Sequence, residues 1–87
     1  MTWTEIKNEI KISLSTRRLS DPGIRLNALD KLEDIFKKNF PEYIKNPKEM
    51  FGKIDKNDFK EEVAKFKPNQ KLNSAESSVI NEIYYRI

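Results

Sequence analysis

Four helix-start signals divide this 87-residue chain into four amphipathic segments, and nothing else in the sequence restricts its fold as strongly. Thr2-Trp3-Thr4-Glu5 has the form of a capping box. The Thr2 hydroxyl is placed to accept from the backbone N–H of Glu5 and the Glu5 carboxylate from the N–H of Thr2, so donors that a helix start leaves orphaned are satisfied reciprocally. Met1 and Ile6 flank the box at hydrophobic-staple positions. In Ser20-Asp21-Pro22, Asp21 can cap and Pro22 suits the first helical position, where its missing N–H removes no bond. Asn46-Pro47 repeats that pair, and Asn73-Ser74-Ala75-Glu76 is another box. Asp58-Phe59-Lys60-Glu61 reads as a further box inside the third segment.

Between these starts the apolar residues recur with helical period. Trp3, Ile6, Ile10 and Leu14 predict a first helix from about Trp3 to Arg18 with one buried stripe, leaving Ile12 off it. Ser13, Ser15 and Thr16 weaken its last turn, because their hydroxyls compete for the backbone. The second segment carries Leu26, Ala28, Leu29, Leu32, Ile35, Phe36 and Phe40, the richest apolar face, and is expected to stop at Pro41 as the central helix. Met50, Phe51 and Ile54 begin a third helix that Gly52 and Asp55-Lys56-Asn57-Asp58 interrupt before Phe59, Val63 and Phe66 resume it, so it is expected to break in two. After the connector Pro68-Asn69-Gln70-Lys71, the last helix turns Val79, Ile80, Ile83 and Ile87 inward.

The expected architecture is therefore all-α: a single domain over residues 1–87, a small antiparallel bundle of four helices, or five with the third split, and no sheet. At 10.3 kDa, size scaling gives roughly 5,000 Å² accessible when folded against about 15,000 Å² extended, enough for one core. The first box predicts that residue 1 is the native start, and Ile87 on the apolar face predicts a docked C-terminus. With neither a basic, apolar leader nor a long apolar run, the expectation is a cytoplasmic protein without a membrane span.

The chemistry is limited by what is missing. With no histidine and no cysteine, the chain lacks the side chain most used for proton transfer near neutral pH and has no thiol nucleophile, thiolate metal site or disulfide. Glu61 and Glu62 are adjacent, so they diverge by about 100° on a helix and make a poor catalytic pair. Asp55-Lys56-Asn57-Asp58 resembles the opening of a calcium loop, but its sixth and twelfth positions are Lys60 and Phe66, not glycine and glutamate, and a helix cap explains the same residues. Gly23 and Gly52 stand alone, so no glycine-rich phosphate loop exists. No enzyme activity, cofactor, metal or small-molecule substrate is expected.

Contact surfaces remain. From Lys37 through Lys71 ten lysines face six acids, a local +4, whereas residues 1–36 hold six of each sign. Lys45, Lys48, Lys53, Lys56 and Lys60, joined by Arg17 and Arg18, are candidate phosphate contacts; the alternative is a solvated helix face, since acids interleave the lysines and lysine outnumbers arginine thirteen to four. Tyr43, Tyr84 and Tyr85 are candidate protein contacts, while the five phenylalanines are read as core. Tyr84 and Tyr85 cannot both point inward, so one of them is expected at the surface.

The Asp21-Pro22 start, the second X-Pro start at Asn46-Pro47, and the last helix opening Leu72-Asn73-Ser74-Ala75-Glu76 before Val79, Ile80 and Ile83 resemble the immunity proteins that protect bacteria from their own class II bacteriocins. That resemblance spans most of the chain as a pattern. It implies a cytoplasmic antiparallel four-helix bundle that binds a membrane-receptor complex, with specificity in its C-terminal half. The expected role is non-catalytic binding of another protein, as inhibitor, immunity factor or adaptor; the alternatives are nucleic-acid binding through residues 37–71, or a subunit of a larger assembly.

Overall fold

Proline opens three of the six helices found among the described residues, α2 (Pro22–Asn39), α3 (Pro41–Lys45) and α4 (Pro47–Gly52). A polar residue whose side chain caps the helix precedes the other three, α1 (Trp3–Thr16), α5 (Lys56–Ala64) and α6 (Ser74–Arg86). The computed structural model describes residues 2–16 and 22–87. Among them there is no strand, and no helix is long and apolar enough to cross a membrane. The Met1 staple, the Asp21 cap and the expected end of the first helix at Arg18 lie outside the described residues.

Local chemistry accounts for most of the starts. At α1 the Glu5 N–H donates to Thr2 Oγ1 at 3.2 Å, and the Thr2 N–H to Glu5 Oε1 at 3.4 Å. At α6 the Glu76 N–H donates to Asn73 Oδ1 (2.8 Å) and the Asn73 N–H to Glu76 Oε1 (3.0 Å), completing a reciprocal box. Two expectations are corrected. The box at Asp58-Phe59-Lys60-Glu61 does not start a helix: α5 begins earlier, with Asp55 in extended backbone geometry accepting from the Asn57 N–H at 3.0 Å, which leaves Asp58 in the first turn. Asn46 occupies the N-cap position of α4 without a side-chain cap bond, and the fixed φ of Pro47 suffices to set the direction.

Pro41 ends α2, because it has no N–H to donate to the preceding turn, and it also opens the short helix α3, which periodicity did not suggest. Phe40 closes α2 through its N–H to Phe36 O (2.7 Å) and then leaves helical geometry at φ −135°, ψ 53°. The third segment is split as expected, into α4 and α5, by residues 53–55.

The core is a single cluster drawn from all the long helices. α1 contributes Trp3, Ile6, Ile10 and Leu14; α2 contributes Ala28, Leu29, Leu32 and Phe36; Phe51, Phe59 and Val63 come from α4 and α5, and Ala75, Val79, Ile80 and Ile83 from α6. α2 packs against α1, α3 and α6, and α6 also meets α1 and α5. Phe36 is fully buried at the junction, with ring centroids 5.6 Å from Trp3, 6.1 Å from Phe51 and 5.5 Å from Phe59. Burying each such side chain contributes about 1.5–3 kcal/mol. Phe66 is a correction to the all-core reading of the phenylalanines: α5 ends at Ala64, so Phe66 lies in the following turn, 48% exposed, with its ring edge on Phe40 at 5.4 Å.

α1 and α2 run antiparallel. Trp3 and Lys7 near the start of α1 both reach Glu33 late in α2, whereas Lys11 and Ile12 share a groove with Leu26 and Asp30. The Trp3 indole N–H donates to Glu33 Oε2 at 2.6 Å and Lys7 Nζ to the same oxygen at 3.0 Å, with Lys37 Nζ 3.8 Å from Oε1. Burial opposes the charged carboxylate. The indole N–H and the two ammonium groups outweigh it and hold the Glu33 pKa below its ordinary value.

Candidate functional site

The rotation of α6 about its axis decides which aromatic reaches solvent. Val79, Ile80 and Ile83 are wholly buried, and Tyr84 follows them inward with its ring edge against Phe51, centroids 5.4 Å apart. Its hydroxyl donates to the Ile54 carbonyl at 3.1 Å. Burial, then the neighbouring Tyr43, Asp55 and Asp58, push the Tyr84 phenol well above its ordinary pKa, so it acts as a neutral donor. One residue on, about 100° around the helix, Tyr85 is turned out and 85% exposed.

Tyr85 has a fixed neighbour. The Arg86 guanidinium carbon lies 5.9 Å from the Tyr85 ring centroid, a cation–π arrangement. Arg86 is itself held: Nη1 donates to the Glu82 carbonyl (3.0 Å) and to Glu82 Oε2 (2.6 Å), and Nε lies 3.5 Å from Glu9 Oε2 on α1. Ser78, Asn81 and Glu82 continue the outward face of α6 and, with Tyr85, line an open depression of about 300 Å³. An aromatic ring beside a hydroxyl and a carboxamide is a set suited to a polypeptide surface. Sequence reasoning did not single out Ser78, Asn81, Glu82 or Arg86. The spacing 78, 81, 82, 85 and the i,i+4 pair Glu82–Arg86 were the available signals.

Of the other candidate contacts, Tyr43 is partly buried, packed against the aromatic side chains of the core. Its ring stacks on Phe59 with centroids 4.9 Å apart and meets Phe51 edge-on at 4.9 Å, and burial together with the charge of Glu62 raises its pKa. The three tyrosines therefore do not form one surface.

The lysines are spread over several elements. Lys45 ends α3 and Lys48 lies in α4, and with Thr2, Asn46, Pro47 and Glu49 they border an open depression of about 530 Å³. Lys53 is tied to Glu49 at 3.1 Å. Lys56 and Lys60 stand one turn apart on α5; partial burial, then the charge of Lys56, lowers the Lys60 pKa. Lys45, Lys48, Lys56 and Lys60 take part in no ion pair among the described residues. Arg17 and Arg18 lie outside the described residues.

Two of the acids weighed as catalytic or metal-binding have structural partners. Glu62 pairs with Lys65 at 3.1 Å, Asp55 caps α5, and no cluster of three or more acids that could hold a metal occurs among the described residues. Comparison with protein-family models, curated proteins and solved structures finds no match to the chain.

Proposed function

We propose that this chain acts without catalysis, by binding another protein through the outward face of α6 around Tyr85, in the manner of an inhibitor, immunity factor or adaptor. Tyr85 carries this reading. A large aromatic side chain 85% exposed, braced by an arginine that two acids hold, presents contact area whose ordering cost on binding is already reduced. A photo-crosslinking residue introduced at position 85 in the source cell is expected to give one discrete protein adduct, absent when the same residue replaces exposed Lys38 on α2. Adducts of equal yield from both positions would refute it.

Within this class, the proline helix starts and the pattern of the last helix favour an immunity role against a class II bacteriocin. Expression in a sensitive strain is expected to raise the bacteriocin dose needed to stop growth, and Tyr85→Ala to reverse that. An unchanged dose with the unaltered chain would refute the immunity role.

A second reading is favoured by the four lysines that stand outside every described ion pair: Lys45, Lys48, Lys56 and Lys60 give a sequence-independent attraction for nucleic-acid phosphate. Such binding weakens steeply with salt, whereas a packed protein interface does not. Gel-shift titrations at low and physiological salt separate the two readings, and no retardation at low salt eliminates this one.

A further inference from the structure

We infer that the groove between α1 and α2 around Ile12 and Leu26 is where two copies of this chain associate, face to face about a two-fold axis. This is independent of the α6 face. The groove is open, about 420 Å³, and is lined by Lys11, Ile12, Leu26 and Asp30. Each wall pairs an apolar side chain with a charged one: Ile12 is 63% exposed because it lies off the buried stripe of α1, and Leu26 is only partly buried against the core. Ile24, 54% exposed, adds apolar surface near the start of α2.

Charge identifies the occupant. Lys11 stands on the α1 wall and Asp30 on the α2 wall, both exposed, and neither enters an ion pair among the described residues. A face carrying one charge of each sign on opposite walls is poorly matched by a uniformly charged surface such as nucleic acid or an anionic membrane. It is matched by itself inverted. A two-fold axis running along the groove lays the α1 wall of each copy on the α2 wall of the other. Each Lys11 then meets the partner's Asp30, and each Ile12 meets the partner's Leu26. Antiparallel packing of α1 and α2 puts Lys11 and Asp30 at the same level of the groove, as this requires. With so few side chains, against the 20–30 residues a side of a standard interface, association is weak and seen only at high concentration.

Sedimentation equilibrium of the whole chain from roughly 10 μM to 1 mM, at low salt, tests this. The expected result is a reversible monomer–dimer equilibrium whose dissociation constant rises at least roughly tenfold in Lys11→Glu and in Asp30→Lys, since each single change sets like charges against each other. Mixing the two single variants is expected to restore dimer, because each then supplies the charge the other lacks, and Tyr85→Ala is expected to dimerise as the unaltered chain does. A chain that stays monomeric throughout, a dimer indifferent to both charge variants, or a dimer lost in Tyr85→Ala would overturn the inference. So would an Ile12→Lys variant that loses stability as a core variant does, since Ile12 would then be covered within its own chain.

Discussion

Glu76 is the one charged residue that is buried among the described residues, with its side chain 1% exposed, and its neutralising partner Lys67 is 16% exposed. One carboxylate oxygen accepts from the Asn73 N–H, and the other accepts from Lys67 Nζ at 2.5 Å. Removing either partner strands the other, and the cost follows how well the stranded charge reaches water. In Glu76→Gln the lysine left behind keeps a solvent-facing edge, and the glutamine oxygen can still accept from Asn73, so a loss of about 2 kcal/mol is expected. In Lys67→Met the stranded carboxylate has almost no access to water, so about 3–4 kcal/mol is expected. The double variant leaves no buried charge and should cost about 3–4 kcal/mol, no more than Lys67→Met alone and less than the sum of about 5–6, a coupling energy of about 2 kcal/mol. For a domain whose total stability is about 4–13 kcal/mol at 87 residues, the larger loss would lower Tm by roughly 12–30 °C. Urea titration of the four proteins, followed by helical circular dichroism, measures all of this at once. Glu76→Gln costing more than Lys67→Met, or the two losses simply adding in the double variant, would refute the reasoning.

Further expectations concern other single sites. The Glu33 pKa is lowered on folding, so its contribution is present above the unfolded carboxylate value near 4.5 and is lost as pH falls through the folded value. Glu33→Gln should therefore cost about 1–2 kcal/mol at pH 7 and progressively less below about pH 4, measured by denaturation at several pH values; a difference independent of pH would contradict this. Tyr84→Phe should cost about 1 kcal/mol by leaving the Ile54 carbonyl without its donor, while Tyr85→Phe should change stability by less than about 0.5 kcal/mol. Asp55→Ala should cost about 1 kcal/mol as a lost N-cap, and Asp58→Ala distinctly less; equal effects would return the cap to Asp58.

Much of this fold is written in neighbouring residues. Thr2 with Glu5 and Asn73 with Glu76 announce two helix starts, the prolines at 22 and 47 announce two more, and the four-residue spacing of Ile6, Ile10 and Leu14 names the buried stripe of α1. These are legible because a helix is built from bonds between residues at most four apart, so its caps and its apolar face are local properties. The same locality explains the misplaced cap of α5: Asp55 and Asp58 both offer a carboxylate to nearby N–H groups, and only the position at which the chain can leave α4 and still lay Phe59 and Val63 on the core distinguishes them.

Angular separation alone establishes that Tyr84 and Tyr85 cannot both be buried, but which one faces water depends on where α5 and the Ile54 carbonyl lie relative to α6. Nothing within four residues of Glu33 foretells Trp3 and Lys7, nor does anything within four residues of Glu76 foretell Lys67. By itself, then, the sequence determined where helices begin and which stripe of each avoids water. Only the packing of helices against one another decided which charges meet and which aromatic stays outside, because those contacts join residues that are close in space and distant along the chain.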